Sequence, residues 1–289
     1  MDKESLDTSR ISITAHYTSF AWRKNGLSHP ALTTGPGRAL FLAAAPWMWL
    51  GRNLLGITDI ETYLLQRHIL MDHLMDRALE DGKPAQVLEL ACGLSPRGWR
   101  FLARNQNRDV RYVETDLPGM AARKEEILKQ AGLLQKAHSI SALNILEPEG
   151  PSCLEQVCKK HLVPGCRTIV VTEGLINYFP LPVVEKLWQR IAAILKNQGG
   201  GLYLADNMVL PKNDLALAVI KPVRRIIEAV ARGRTHLHFD DDRDAVKTLL
   251  GCSFDRAAVH RPEDWAKSLN LPLCRSRSTT RVLEAWVTG

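Results

Sequence analysis

From residue 85 onward, two hydrophobic periods alternate along this chain. Apolar runs with the length of buried strands occur at Val87 to Leu90, Val110 to Val113, Ser139-Ile140, Thr168 to Val171 and Leu202 to Asp206. Short runs of this kind, bounded by turn residues, mark strands covered on both faces. Between them, apolar residues recur at helical spacing over Trp99 to Arg104, Met120 to Leu134, Cys153 to His161 and Pro182 to Lys196. The last of these places Val183, Val184, Leu187, Ile191 and Ile194 inward. Strand and helix in regular alternation predict an α/β chain with a doubly wound, mostly parallel sheet.

The rhythm changes at both ends. Ile11 to Ala15, followed by Phe20, Ala21 and Trp22, reads as a short amphipathic helix. Ala39 to Leu50 is the most apolar stretch, with Pro46 inside it, Trp47 and Trp49 near its end, and Arg38 and Arg52 flanking it. It is far too short to span a bilayer. Three readings fit it: a lid over an apolar ligand, a helix resting at a membrane interface, or a buried helix. Ile60 to Leu79 carries Leu64, Leu65, Ile69, Leu70, Leu74 and Leu79 at helical spacing, with Asp59 as a cap and Asp81-Gly82-Lys83-Pro84 as a stop. In the tail, Leu215 to Ala231 predicts an apolar-basic helix interrupted by Pro222, and Asp244 to Leu250 a short helix. Phe254 to His260 and Arg281 to Val287 are strand-like, which predicts an antiparallel hairpin at the sheet edge.

Composition narrows the possibilities. A chain of 289 residues with 45% hydrophobic and 24% charged residues suits one large α/β unit with extra helices. The net charge is +7, and Arg97, Arg100, Arg104, Arg108 and Arg111 crowd the first crossover helix, where they read as a solvated face. Aromatic content of 6% and the lack of any RNA-module signature argue against a nucleic-acid partner. The six cysteines have neither metal-ligand spacing nor the density of a disulfide framework, and Met1 to Glu4 does not open a signal peptide, so a reducing cytoplasm is the expected compartment. Cys92 reads as a small buried filler. His236 and His238 alternate onto one face ahead of Asp240 to Asp242, but two ligands without a third at useful spacing predict no metal site.

Three strand ends carry the candidate chemistry. Val87-Leu88-Glu89-Leu90 runs into a turn at Gly93 and Ser95-Pro96, and a helix follows. Gly93 admits close backbone approach by a ligand, and the helix start offers unpaired N–H groups. The spacing of Gly93 and Gly98 is not the three-glycine dinucleotide fingerprint. The second strand ends in Glu114-Thr115-Asp116-Leu117-Pro118, about twenty residues beyond Gly93, where an acid can accept ribose hydroxyls. Asp116 is the candidate for that task, with helix capping as the plainer alternative. The strand at Thr168 to Val171 ends in Glu173-Gly174, another carboxylate and glycine at the edge where open α/β sheets bind ligands.

In this order the motifs resemble class I S-adenosylmethionine-dependent methyltransferases. Within them they resemble the leucine carboxyl methyltransferase superfamily, which includes polyketide O-methyltransferases of the tetracenomycin type. The resemblance rests on the Ser12 to Ala15 opening, Arg67 with Asp72, Glu89-Leu90-Ala91-Cys92-Gly93-Leu94, Glu114 to Pro118, and Glu173-Gly174-Leu175 with Tyr178. It implies a Rossmann-like, seven-stranded core over residues 84–289, with a helical cap over residues 1–83 that contributes to acceptor and cofactor binding. It implies S-adenosyl-L-methionine as cofactor. Arg67 would pair with the methionine carboxylate, Gly93 would lie against the cofactor backbone, and Asp116 would hold the ribose. Leu143 and Asn144 would flank the adenine, and Glu173 would lie near the amino end and the sulfonium. Glu89, Leu117 and Gly174 complete the implied set. Two departures stand out: Ser95-Pro96 replaces the acid usual in the glycine loop, and Ala142 or Asn144 stands where the family often has Asp.

The expected activity is O-methylation of a small-molecule hydroxyl or carboxyl group, such as a polyketide-like metabolite, with an apolar acceptor suggested by residues 39–50. The alternatives are carboxyl methylation of a protein C-terminus and a non-catalytic cofactor-binding protein. Candidate bases are His16, Tyr17, His68 and Tyr178, none of which the sequence singles out.

Overall fold

The structure, a computed structural model, describes residues 13–54, 59–209, 236–239, 241–275 and 277–289. Three helices come first: α1 (Ile13–Lys24), α2 (Gly35–Leu54) and α3 (Ile60–Ala78). Asp59 caps α3 as predicted, its carboxylate accepting the Thr62 amide at 2.7 Å. The apolar stretch at 39–50 is part of α2 and is not a buried helix. Phe41 is buried among Ala21, Tyr63 and Leu64, whereas Leu42 is 56% and Trp49 64% exposed. α1 and α2 cross closely at Gly37, where a Cβ would lie 2.2 Å from the His16 carbonyl oxygen.

The core then runs β1 (Ala85–Leu90), α4 (Arg97–Arg104), β2 (Val110–Asp116), α5 (Pro118–Gln130), β3 (His138–Ala142), α6 (Leu154–His161), β4 (Arg167–Thr172), α7 (Leu181–Asn197) and β5 (Gly201–Met208). After it come α8 (Asp242–Gly251), β6 (Arg256–His260), α9 (Pro262–Leu269) and β7 (Thr280–Val287). The strands form one sheet in the order β3-β2-β1-β4-β5-β7-β6, parallel from β3 to β5 and antiparallel at β7 and β6. The expected edge pair is therefore present, but α9 lies between its strands. Pro262 opens that eight-residue helix and Asn270 ends it in the left-handed region, so it is too short for periodicity to reveal. The helix expected at 120–134 stops at Gln130, before Gly132 at φ 66°. The helix predicted at 215–231 lies outside the described residues.

Alternate residues of each strand enter opposite layers, which is why the strands read as continuous apolar runs. Leu88, Leu90, Val170, Tyr203 and Ala205 pack with Trp188 and Ile191 of α7. Val87, Tyr112, Ile169, Val171, Leu202 and Leu204 pack with Leu70, Met71 and Leu74 of α3 and Phe101 of α4. A fully buried Leu-sized side chain is worth about 2 kcal/mol, so these two layers dominate stability. The strand order reverses direction between β1 and β4. At such a switch point the chain leaves the sheet on both sides and opens a crevice at the C-terminal strand ends.

Candidate functional site

The β1 turn opens that crevice. Ala91 (φ 53°) and Gly93 (φ 49°) both take left-handed backbone angles, and for Ala91 this is a local strain of the kind held at functional loops. Gly93 donates its amide to Asp116 Oδ2 at 2.7 Å, and Leu117 donates to Oδ1 at 2.7 Å. The β2 carboxylate thus ties the two strand tips together. Asp116 is not the N-cap of α5; that position is Leu117, which makes no side-chain cap. Burial pushes the Asp116 carboxyl up from the ordinary range, against the pull of its two amide donors. Ala15 of α1 lies over the turn and packs with Leu94, Met120 and Ile127.

Beneath the turn is a buried ionic network centred on Arg97, which has no exposed surface. Its Nε donates to Asp72 at 2.8 Å, Nη1 to Glu89 at 3.2 Å, and Nη2 reaches Glu173 at 2.7 Å. This corrects the reading of Arg97 as part of a solvated face. Arg100 and Arg104, one and two turns on, also pair with Asp72. An arginine can be buried in this way only where carboxylates surround it. Glu173 accepts from Arg67 Nε at 2.9 Å and lies 2.9 Å from His68 Nδ1, while His68 Nε2 faces Arg100 Nη1 at 3.0 Å. His68 Nδ1 also lies 2.9 Å from Arg97 Nη2, so guanidinium donors face both ring nitrogens. Burial, and then Arg97, lower the His68 pKa, which favours the neutral ring. Burial opposes ionisation of Glu173, but Arg97, His68 and Arg67 outweigh it and hold the carboxyl well below the usual range.

Asp206, at the end of β5, completes this side. Its Oδ2 accepts from Tyr63 at 2.6 Å and from Arg67 Nη1 at 2.8 Å, and its Oδ1 accepts from the Gly174 amide at 2.5 Å. Gly174 has φ 69°, and a Cβ there would lie 3.1 Å from Arg67 Nη2. Arg67 Nη2 has no hydrogen bond among the described residues, so one face of the guanidinium retains donors.

The implied site residues do not all share one environment. Arg67, Gly93, Asp116, Leu117, Glu173 and Gly174 meet at the tips of β1, β2 and β4. Leu143 and Asn144 follow β3; Leu143 donates to the Asp116 carbonyl, and Asn144 Oδ1 accepts the Leu146 amide at 3.1 Å. Glu89 is 1% exposed, with its oxygens on Arg97 and on the Tyr112 hydroxyl, 2.8 Å away. Burial raises its pKa, Arg97 opposing. Sequence reading missed the parts played by Arg97, Asp206 and Tyr63. The available signal was a helix-start arginine that follows an acid-bearing strand, and an acid closing strand five. No cluster of three or more metal-ligating side chains occurs among the described residues. Nor is any described helix long and apolar enough to cross a membrane.

Comparison with known proteins places this architecture. The leucine carboxyl methyltransferase family profile matches residues 51–192, which contain β1, the glycine turn, Asp116, Arg67 and Glu173. Over that stretch the chain is similar to the leucine carboxyl methyltransferases. The cofactor named for such relatives is S-adenosyl-L-methionine. A Frankia alni protein provisionally named an S-adenosyl-L-methionine-dependent methyltransferase is 24% identical over 162 residues, 56% of this chain. The match spans about half, 51%, of that relative's length. A Thermobifida fusca structure provisionally named a methyltransferase superposes with a TM-score of 0.63 at 13% identity, covering 99% of this chain and 98% of that one. A DUF574 family protein from Streptomyces avermitilis gives 0.60 at 10% identity, covering 96% and 98%. These likenesses show the Rossmann-like fold.

The residues present fit the cofactor. A zwitterionic methionine end needs a guanidinium for its carboxylate and carboxylates for its ammonium, and Arg67, Glu173 and Asp206 supply that set. Gly174, beside Arg67, leaves a cradle that a Cβ would fill. Asp116 stands one strand away with two oxygens able to accept more than the two amides they hold.

Proposed function

We propose that this chain is an S-adenosylmethionine-dependent O-methyltransferase acting on a small molecule, with residues 1–83 as a helical cap over a core of residues 84–289. The observation that supports it best is the convergence of Gly93, Asp116, Arg67 and Glu173 at the β1, β2 and β4 tips, joined by the 2.7 Å Gly93–Asp116 bond. Bound S-adenosylmethionine supplies a methyl group on a sulfonium. Arg67 would hold the carboxylate through its free Nη2, Glu173 and Asp206 would face the ammonium, and Asp116 would take the ribose. Leu143 and Asn144 would bound the adenine, with Leu117 beside the ribose and Gly93 and Gly174 admitting close approach. Glu89 acts one layer deeper, by holding Arg97 and so the turn. The exposed apolar residues Leu42 and Trp49 of α2 support an apolar acceptor, of the polyketide-like kind, taken up beneath the cap.

Titration calorimetry with S-adenosylmethionine and S-adenosylhomocysteine tests the site. Micromolar binding corresponds to roughly −8 kcal/mol. Asp116→Ala should lose about 1.5 to 3 kcal/mol of it. Asp116→Asn keeps an acceptor for one of the two loop amides, so it should lose less. No binding of either nucleotide by the wild-type protein would overturn the reading.

A further inference from the structure

Residues 236–239 return to the edge of the sheet beside the loop that follows β4. His236 donates its amide to the Asn177 carbonyl at 2.8 Å, and Asn177 Nδ2 donates back to the His236 carbonyl at 2.7 Å. Asn177 Oδ1 also accepts the Met208 amide at the end of β5, 3.1 Å away. Phe239 anchors the far end, buried and stacked on Trp188 at 6.2 Å. Two histidine rings are thereby fixed in parallel planes, 6.4 Å apart, next to the β4 and β5 tips.

The position follows from the order of the sheet. If Asp116 on β2 takes the ribose and Arg67 with Glu173 the methionine end at β1 and β4, the next place along the same edge is between β4 and β5. That is where His236, His238 and the 38% exposed Tyr178 lie.

The hydrogen bond of His238 decides its chemistry. Its Nε2 lies 2.9 Å from the Ile176 carbonyl oxygen. A carbonyl can only accept, so Nε2 carries the proton and Nδ1 presents a lone pair. Nδ1 has no hydrogen bond among the described residues, on a ring that is half-buried rather than sealed. The other candidates lack this arrangement. His16 Nδ1 is spent on Thr34 at 2.6 Å, both nitrogens of His68 face charged partners, and Tyr17 is stacked on Phe41.

Resting on the function proposed above, we infer that His238 is the general base of the reaction and that the acceptor is a hydroxyl compound of the phenol class. A carboxylic acid is already ionised at neutral pH and needs no base, whereas a phenol, with a pKa of about 10, does. As the acceptor oxygen forms its bond to the methyl carbon, the carbon–sulfur bond breaks and leaves a neutral thioether. The hydroxyl proton passes to Nδ1. The resulting imidazolium keeps its Nε2–H bond to Ile176 and later releases the proton to water. Burial lowers the His238 pKa, the Ile176 carbonyl opposes this, and the neighbouring His236 adds to the lowering, so the ring is neutral and ready to accept at pH 7.

The test uses the full chain and His238→Gln, whose amide nitrogen can still donate to Ile176 but which has no base. S-adenosylhomocysteine affinity, read by calorimetry, should be unchanged. In wild-type protein labelled with nitrogen-15 histidine, His238 should show the Nε2–H tautomer at pH 7. Turnover is then measured with a panel of mono- and polycyclic phenols, from nitrophenols ionised at pH 8 to phenols that are not, and with benzoate as the carboxylate. For un-ionised phenols His238→Gln should lower kcat at least about 100-fold, and for ionised ones less than about 5-fold. Equal losses on both, no loss on either, the opposite tautomer, or transfer by wild-type protein to benzoate alone or to none of the panel would each overturn the inference. Failure of wild-type protein to bind S-adenosylhomocysteine would instead overturn the function on which it rests.

Discussion

At the scale of single residues, the site is organised by which carboxylate each arginine neutralises. Arg97 satisfies Asp72, Glu89 and Glu173 at once, with no exposed surface. Removing one partner of such a buried set leaves charges that are neither hydrated nor paired. Arg97→Ala should therefore cost about 3 to 5 kcal/mol in a urea titration. A loss below about 1 kcal/mol would mean that water enters the network. Arg67 has a double role for the same reason, since it neutralises Glu173 and Asp206 as well as offering Nη2 to a ligand. Arg67→Ala would confuse binding with folding; Arg67→Lys keeps the charge and isolates the loss of the fork.

Elements position these side chains by close approach at small residues. α1 covers the glycine turn through Ala15, and α2 holds α1 in place where Gly37 lets its backbone meet the His16 carbonyl. A Cβ at Gly37 would lie 2.2 Å from that oxygen and 3.0 Å from the Thr34 hydroxyl, so the helices would have to separate. Gly37→Ala should cost about 1 to 3 kcal/mol of stability, as overpacking does. It should also raise hydrogen exchange in α1 before the sheet is affected, because the core strands open last. Unchanged α1 protection would show that the crossing does not hold α1 in place. Gly98 marks a second such approach. Its amide donates to Glu114 Oε1 at 3.2 Å, and a Cβ there would lie 2.5 Å from that oxygen and 2.7 Å from His138 Nε2.

For the molecule as a whole, the buried carboxylates set the response to acid. Burial opposes ionisation of Asp72, but His68, Arg97, Arg104 and Arg100 hold it down at about 2. Burial likewise opposes ionisation of Glu114, but Lys124 and His138 hold it at about 2. In the unfolded chain both return to about 4. Their folded pKa values are depressed, so their contribution to stability is fully present above pH ~4 and is lost as the pH falls toward 2. Glu89 and Asp116, raised by burial, run the other way and offset part of this. The unfolding free energy from urea titrations should decline steeply between pH 4 and 2. A flat profile across that window would contradict the network.

The alternation of apolar periods by itself determined the parallel α/β core, because a strand buried on both faces and a crossover helix leave local signatures that no distant residue alters. Local spacing also determined the glycine turn, the acids at the ends of β2 and β4, and the Asp59 cap. It did not reveal α9, which is only eight residues long, or the insertion of β7 between β5 and β6, because pairing order is a property of distant segments. Only the tertiary structure decided which charges are buried. Arg97 looks like its helix neighbours Arg100 and Arg104 until Asp72, Glu89 and Glu173 arrive from three other elements. Asp206 looks like a strand end until Tyr63, Arg67 and Gly174 converge on it. The same holds for His238, whose tautomer is fixed by a carbonyl 62 residues away in the chain. The energy of a charge or a proton depends on what surrounds it in space, and sequence neighbours supply little of that.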